Sequence, residues 1–237
     1  MSGKEKLIVA IDTDNYENAV SLIDMLGDSV DIYKVGLENY LASRGRTIDY
    51  LKSKGKKIFL DLKFHDIPNT MKSAVRQAVR EGVWMITIHA SDIEGMKQCA
   101  EVAKEEAGRL SIERPLIIAV TVLTSLSDED LLDIGCSMNT TEVAIRRALL
   151  AKKAGVDGVV CSAKEVSKIV SACGDDFITV CPGIRPSDSE VHDQKRVVTP
   201  RVAIKDGAKV LVVGRPITRA QEPRFVAEKI IKEIDLI

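Results

Sequence analysis

The stretch REGVWMITIHA, residues 80–90, joins a glycine to an apolar run in a way that decides the fold. Gly82 directly follows a helical pattern, where glycine commonly ends a helix, and the run behind it is rich in strand-forming residues. The same order of helix, glycine and strand recurs in KKAGVDGVV (152–160) and in KDGAKVLVV (205–213). The sequence therefore predicts a repeated αβ unit.

Short apolar runs alternate with amphipathic stretches along the whole chain. There are eight of them: LIVAID (7–12), DIYKVG (31–36), KIFLDLK (57–63), WMITIHA (84–90), PLIIAVT (115–121), DGVVCS (157–162), FITVC (177–181) and KVLVVG (209–214). Because neither proline nor polar alternation interrupts them, they predict a parallel sheet that helices cover on both faces. Eight units in 237 residues favour one closed (β/α)8 TIM barrel spanning residues 1–237. A doubly wound open sheet is the alternative, but no GxGxxG motif follows the first run.

The composition excludes several classes of protein. The 34 Lys and Arg residues nearly balance the 35 Asp and Glu residues, and aromatic residues make up only 4% of the chain. Nucleic-acid binding, which calls for a basic surface with stacking aromatic side chains, is therefore not expected. No run of ~18 apolar residues is present and the first apolar run is too short for a secretory signal, so neither membrane spanning nor export is expected.

The cysteines indicate a reducing compartment. They are odd in number, form no CxxC pair and mostly lie within or beside apolar runs. The five are Cys99, Cys136, Cys161, Cys173 and Cys181. This pattern predicts buried, reduced thiols in a cytoplasmic protein.

Charged residues gather at the carboxyl ends of the predicted strands, where the active sites of such barrels lie. Asp12 ends the first strand, Lys34 lies near the end of the second, and Asp61 and Lys63 end the third. Because side chains alternate along a strand, Asp61 and Lys63 are expected to share one face and to form an ion pair. Lys34, on the adjacent strand, would complete an alternating row of charges.

Several polar residues near this edge have structural interpretations as well. Asp66, directly before Ile67 and Pro68, is equally suited to capping the next helix. Asp14 is interpreted as the cap of the first long helix. The histidines are interpreted as structural or solvent-exposed groups and not as catalysts: His65, His89 and His192.

Two segments near the C-terminus predict a functional loop and a phosphate site. The polar segment 182–202 shows no clear periodicity, and a loop of this length in a compact domain is usually functional and often a lid. The segment VVGRPIT (212–218) ends the eighth strand with Gly214 and Arg215. Barrel loops after strands seven and eight commonly bind phosphate through backbone N–H groups, here those of Gly183 and Gly214, and through a guanidinium. A surface salt bridge is the alternative role for Arg215.

The chain resembles the orotidine 5′-phosphate decarboxylase family over nearly its whole length. The stretch DLKFHDIPNT (61–70) fits the signature D-x-K-x-x-D-I-P-x-T of that family. Shorter family motifs follow in the expected order: VAID, YKVG, TVLTS, PGIR and VVGRP. The resemblance implies a barrel of the ribulose-phosphate-binding type. It would convert orotidine 5′-monophosphate (OMP) to uridine 5′-monophosphate (UMP) in pyrimidine biosynthesis, with no cofactor and no metal.

The resemblance also implies a catalytic array of Lys63, Asp61, Asp66 and Lys34, which would face C6 of the pyrimidine and the carboxylate that leaves it. Loss of CO₂ from C6 produces a carbanion that no neighbouring π system can delocalise and that no cofactor takes up. An ammonium held between carboxylates stabilises such a charge and then supplies the proton, so Lys63 is the implied general acid.

The remaining implied roles concern substrate binding and assembly. Asp66, Ile67 and Thr70 would come from the neighbouring subunit of a homodimer. The other implied substrate contacts are Asp12 and Lys34 to the ribose, Thr124 and Gln194 to the pyrimidine, and Arg185, Gly214 and Arg215 to the phosphate, with Pro182 beside them.

Two alternatives differ in chemistry. A magnesium-dependent sugar-phosphate decarboxylase or hexulose-phosphate synthase of the same superfamily shares the D-x-K-x-x-D pattern, but such enzymes hold an enediolate on a metal with help from an acidic residue of the second strand. Lys34 occupies that region here, and an ammonium beside Asp61 competes with a divalent cation. A catalytically silent phosphate-binding barrel would need only the end of the site near Arg215, yet the whole row of charges is present.

Overall fold

Eight parallel strands close into a barrel in the order in which they occur in the sequence. The computed structural model describes residues 2–186 and 198–237. The strands are β1 (Leu7–Ile11), β2 (Ile32–Gly36), β3 (Lys57–Phe64), β4 (Met85–His89), β5 (Leu116–Val120), β6 (Gly158–Val160), β7 (Ile178–Cys181) and β8 (Val210–Val213). Because β8 pairs with β1, the sheet is closed, which confirms the TIM barrel and excludes the open doubly wound sheet.

Helices connect the strands and cover the barrel. They are α1 (Gly3–Lys6), α2 (Tyr16–Leu26), α3 (Leu37–Ser43), α4 (Arg46–Ser53), α5 (Pro68–Arg80), α6 (Ile93–Leu110), α7 (Asp128–Asp133), α8 (Thr140–Lys153), α9 (Val166–Cys173), α10 (Pro200–Lys205), α11 (Arg215–Thr218) and α12 (Pro223–Asp235). The glycines predicted to end helices, Gly82, Gly155 and Gly207, follow α5, α8 and α10 with φ values of 66°, 81° and 102°. Glycine adopts this left-handed conformation without steric cost.

The barrel interior determines where the site lies. Alternate residues of the strands point inward and form a buried apolar cluster that includes Ala10, Ile32, Phe59 and Met85. Because side chains alternate with a period of two, the next inward positions towards the carboxyl ends fall two residues later. Those positions are Asp12, Lys34, Asp61 and Thr87. The apolar interior therefore becomes a polar layer at the edge where the strands end.

The ladder between β3 and β4 is irregular at the end of β3. Leu60 pairs with Ile86, but the next pair is Phe64 with Ile88, so β3 contains two more residues than β4 over this interval. Lys63 lies within the interval and has a φ of 50°, in the left-handed region that non-glycine residues seldom adopt. The bulge turns the end of β3 out of the regular strand geometry.

Two helix starts differ from the predictions. The cap of α2 is Asn15, whose side chain accepts a hydrogen bond from the Asn18 N–H, so the prediction for Asp14 was wrong. The cap position of α5 is held by Ile67, and the Asp66 carboxylate instead accepts a 2.7 Å hydrogen bond from the Ile67 N–H. Asp66 therefore lies one residue too early to cap α5.

All five cysteines are free; four are buried, and Cys136 is partly exposed. None of the helices in residues 2–186 and 198–237 combines the length and hydropathy that crossing a bilayer requires.

The central part of the predicted lid, residues 187–197, lies outside the described residues.

Candidate active site

A cavity of about 240 Å³ opens at the carboxyl ends of the strands. Residues of the apolar barrel interior form its floor, including Phe59, Val180 and Val212. Its polar lining contains the following side chains: Asp12, Lys34, Asp61, Lys63, Thr124, Arg185 and Arg215. All seven belong to the set that the sequence predicted for the site.

The predicted row of alternating charges is present on one side of the cavity. The Lys34 ammonium lies 3.0 Å from Asp12 Oδ1 and 3.5 Å from Asp61 Oδ2. The Lys63 ammonium lies 2.8 Å from the same Asp61 oxygen. Asp12, Lys34, Asp61 and Lys63 therefore form a continuous chain of ion pairs across three neighbouring strands.

Burial makes this row electrostatically strong. Burial alone raises the pKa of the Asp61 carboxyl, but the Lys34 and Lys63 ammonium groups outweigh it and hold that pKa below its ordinary value. Burial likewise lowers the pKa of Lys34, but the carboxylates of Asp61 and Asp12 outweigh it and raise that pKa. Both groups are therefore charged at neutral pH. Burying such charges is costly, so stability alone does not explain the row.

Thr87, which was not among the predicted site residues, joins Asp61 to Lys63. Its hydroxyl donates a 3.0 Å hydrogen bond to Asp61 Oδ1 and accepts a 2.9 Å hydrogen bond from the Lys63 N–H. The predicted ion pair between Asp61 and Lys63 is confirmed, but regular strand alternation is not its cause, because Lys63 lies in the bulge. The sequence feature that could have identified Thr87 is its polar side chain within the apolar run WMITIHA, two positions after the inward-facing Met85.

Gly36 is a second position of the site that was not predicted from the sequence. A Cβ atom placed on it would lie 2.9 Å from the Lys34 ammonium nitrogen and 3.5 Å from Asp12 Oδ1. Such an approach is closer than a methyl group tolerates, so the absence of a side chain at Gly36 leaves room for the ammonium. The sequence YKVG alone does not show that residue 36 must lack a side chain, because the contact with Lys34 and Asp12 is visible only in the tertiary structure.

The predicted phosphate residues lie in the segments that follow β7 and β8, next to the Asp12 end of the charge row. Gly183 and Arg185 follow β7, whereas Gly214 and Arg215 follow β8, and all four line the cavity together with Pro182. Gly183 has a φ of 76°, which a residue with a side chain seldom adopts, and this conformation helps to form the turn after β7. Two guanidinium groups and backbone N–H groups at one end suit a phosphate dianion.

Some predicted residues do not reach this cavity within the chain. Asp66, Ile67 and Thr70 are exposed and do not line it, and the Ile67 side chain is 67% exposed. Gln194 lies outside the described residues. Thr124, its predicted companion for the pyrimidine, lines the cavity after β5.

His65 and His89 do not line the cavity. The ring centroids of His65 and His89 are 5.0 Å apart. Burial, followed by the electrostatic effect of the neighbouring His65 imidazole, lowers the pKa of His89. His192 lies outside the described residues.

The donor set of the site does not favour a divalent cation. Within residues 2–186 and 198–237, no three or more His, Cys, Asp and Glu side chains come together in a group that could hold a metal ion. The carboxylates of Asp12 and Asp61 each lie within ion-pair distance of an ammonium, which opposes a second cation there. The independence of the reaction from metal stays a prediction.

The geometry suits chemistry in which negative charge develops on a substrate atom near Lys63. An ammonium already oriented by a carboxylate stabilises such a charge without rearranging during the reaction. The same group carries protons that it can donate. A phosphate held by the residues after β7 and β8 would orient the substrate and supply binding energy away from the reacting atom.

Comparisons with known proteins agree with this geometry. The family model described as "Orotidine 5'-phosphate decarboxylase / HUMPS family" matches residues 5–230. The orotidine 5′-phosphate decarboxylase of Nostoc sp. is 47% identical over 98% of this chain and 98% of its own, and that of Moorella thermoacetica is 45% identical over 100% and 95%. The crystal structure of orotidine 5′-phosphate decarboxylase from Lactobacillus acidophilus superposes with a TM-score of 0.85 at 38% identity, over 97% of this chain and 99% of that one.

Proposed function

This chain belongs to the orotidine 5′-phosphate decarboxylase / HUMPS family, and we propose that it converts OMP to UMP through the Lys63 ammonium. Its full-length similarity to decarboxylases at 45–47% identity makes it an enzyme of pyrimidine biosynthesis. The observation that carries the mechanism is the Lys63–Asp61–Lys34–Asp12 row along the cavity.

The proposed reaction consists of one bond cleavage and one proton transfer. The bond between C6 and the carboxylate carbon breaks, its electron pair stays on C6, and CO₂ leaves. Lys63 then transfers a proton from its ammonium to C6, and solvent reprotonates the amine. The Lys63 ammonium lines the cavity and is held 2.8 Å from Asp61, which supports its role in both charge stabilisation and protonation.

Asp61 would act by fixing the ammonium groups. Its Oδ2 lies within 3.5 Å of both Lys34 and Lys63, so it attracts both cations and holds them in defined positions. A pre-positioned donor avoids the entropic cost of orienting the reacting groups, and small displacements lower the rate steeply. The carboxylate would also lie near the leaving carboxylate of OMP, which disfavours the bound substrate relative to the transition state.

Substrate binding would use the rest of the cavity. Asp12 and Lys34 would bind the ribose, and Thr124 and Gln194 would bind the pyrimidine. A second set of residues would bind the phosphate. That set is Pro182, Arg185, Gly214 and Arg215. Because the phosphate of OMP is remote from C6 within the molecule itself, its binding would contribute energy away from the bond that breaks.

We also propose a homodimer in which each subunit completes the site of the other. Asp66, Ile67 and Thr70 lie three to seven residues after the catalytic lysine in sequence but outside the cavity of their own chain. Ile67 is an apolar side chain that is 67% exposed and is therefore accessible to a neighbouring subunit. Donation to the neighbouring cavity would bring Asp66 to the Lys63 ammonium.

The cofactor and the compartment are part of the proposal. Lys34 lies 3.5 Å from Asp61, which disfavours the magnesium-dependent alternative, since a divalent cation there would face an ammonium. We therefore expect catalysis without metal or other cofactor. The free cysteines, four of them buried, support a reducing compartment such as the cytoplasm.

The direct test is the loss of orotate absorbance when the purified protein is mixed with OMP. The assay is run with excess chelator and again with added magnesium. Rapid decay that is unchanged by the chelator would support the proposal. Decay that requires magnesium would favour the metal-dependent alternative, which would then be tested with sugar phosphates. Absence of decay in both conditions would refute the proposed function.

A further inference from the structure

Thr87 lies on β4 beside the bulge of β3, where the regular pairing of the two strands is interrupted next to the charge row. Continuing the register from Leu60 and Ile86 would place Thr87 opposite Asp61, but pairing resumes only at Phe64 and Ile88. The Lys63 N–H therefore has no strand partner of the regular kind, and it donates to the Thr87 hydroxyl at 2.9 Å. A side chain thus replaces a backbone acceptor within the bulge.

The same hydroxyl also orients the carboxylate of the row. Thr87 Oγ1 donates at 3.0 Å to Asp61 Oδ1, whereas Asp61 Oδ2 faces the ammonium groups of Lys63 and Lys34. Each Asp61 oxygen therefore has its own partner, which fixes the rotation of the carboxylate. Thr87 is fully buried and does not line the cavity, so it would not contact the substrate.

We propose that Thr87 is a positioning residue for the decarboxylation; this inference rests on the proposed function. One hydroxyl holds the Lys63 backbone in its left-handed conformation, with a φ of 50°, and at the same time holds the carboxylate that binds the Lys63 ammonium. Only a group that both donates and accepts can do this, and a hydroxyl meets the requirement. Residue 87 would thereby set where the ammonium lies relative to C6.

The test compares variants of Thr87 that separate the hydroxyl from the packing. Thr87→Val keeps the shape and loses both hydrogen bonds, and its kcat is expected to fall about 10- to 100-fold, since displacement of a reacting group by ~1 Å costs that much. The affinity for UMP, which is bound mainly through its phosphate and ribose, should stay within about threefold. Thr87→Ser keeps the hydroxyl and should recover most of the kcat.

A matched control separates catalysis from folding. Thr179 is also fully buried, and its hydroxyl also donates to a carbonyl, that of Gly207, and accepts from an N–H, that of Lys209. It does not line the cavity. Thr179→Val should therefore lose a similar amount of thermal stability while keeping the kcat of the unchanged protein. If Thr87→Val does not fold, Thr87→Ser and Thr87→Ala provide a pair that differs only in the hydroxyl.

The outcomes are distinct. A kcat for Thr87→Val equal to that of the unchanged protein would overturn this inference alone. Equal losses in Thr87→Ser and Thr87→Ala would do the same, since the hydroxyl would then not matter. An unchanged protein that fails to decarboxylate OMP would refute the proposed function, and this inference with it.

Discussion

The Lys63 ammonium lies 2.8 Å from Asp61 Oδ2, although the two residues are joined by a bulge and not by regular strand geometry. Lys63 adopts a left-handed backbone conformation to make this contact, with a φ of 50°. Such conformations cost roughly 1–3 kcal/mol and persist where the surrounding structure holds them. The strained backbone and the catalytic ammonium of the proposed mechanism therefore belong to the same residue.

Replacing Lys63 with alanine is expected to reduce the rate of OMP decarboxylation by ~10⁴-fold or more, because one group supplies both charge stabilisation and the proton. Steady-state loss of orotate absorbance measures the effect. Lys97→Ala is the control, since the Lys97 side chain is 58% exposed on α6 and lies outside the cavity. Near-normal turnover by Lys63→Ala would contradict the proposed mechanism.

Replacing Asp61 with asparagine should destabilise the protein as well as inactivate it. The change leaves two ammonium groups facing each other, one of which, Lys34, has a side chain only 12% exposed. Breaking a buried ion pair from one side costs ~3–5 kcal/mol, whereas Asp49→Asn should cost at most ~1 kcal/mol. The Asp49 carboxylate also pairs with a lysine, but it is 76% exposed. Urea unfolding of both variants gives the comparison, and equal losses would contradict it.

The stability that Asp61 provides should depend on pH in a defined direction. Burial raises the pKa of its carboxyl, but Lys34 and Lys63 outweigh burial, so the pKa in the folded state lies below the ordinary value of 3.8. The unfolded chain therefore binds the proton first as the pH falls. The stability contribution should be fully present above the unfolded pKa and should be lost as the pH falls through the folded one.

The measurement is the difference in unfolding free energy between the unchanged protein and Asp61→Asn across a pH series. It should be constant near neutral pH and should shrink at pH values below about 4. A difference that grows on acidification would show that the carboxyl has a raised pKa, contrary to its two ammonium neighbours.

Replacing Gly36 with alanine should impair catalysis more than folding. The new Cβ would lie 2.9 Å from the Lys34 ammonium, which sits at the end of a flexible side chain and can move away. The kcat/KM is expected to fall at least ~10-fold, because the row of charges is displaced. Gly108→Ala is the control, since its Cβ would meet nothing within 4 Å. Equal activity of the two variants would show that the position of Lys34 is not critical.

Mixing two inactive variants tests the shared site. Lys63→Ala and Asp66→Ala should each be inactive, but in a heterodimer one site carries both changes and the other carries neither. After unfolding and refolding together, random pairing should restore about one quarter of the unchanged activity, since the two sites of a symmetric dimer exchange residues reciprocally. Activity that stays at the level of the separate variants would place Asp66 in the site of its own chain.

Much of the site could be predicted because it depends on local patterns. The charged ends of β1, β2 and β3 are visible in the sequence, and a barrel brings all strand ends to one edge. Gly214 and Arg215 at the end of β8 were predictable for the same reason, and they line the cavity. Thr87 was missed, since its role depends on a hydrogen bond to a residue 26 positions away.

The sequence by itself determined the eight αβ units and the positions of the charges along the strands, because periodicity and glycine helix ends act over a few neighbouring residues. Only the tertiary structure decided which charges touch, since the contact of Lys34 with Asp12 spans 22 residues and depends on strand register and barrel closure. It also decided the bulge at Lys63 and the room that Gly36 leaves for the Lys34 ammonium. These features arise from packing between distant segments, and a single strand pattern contains no information about its neighbours.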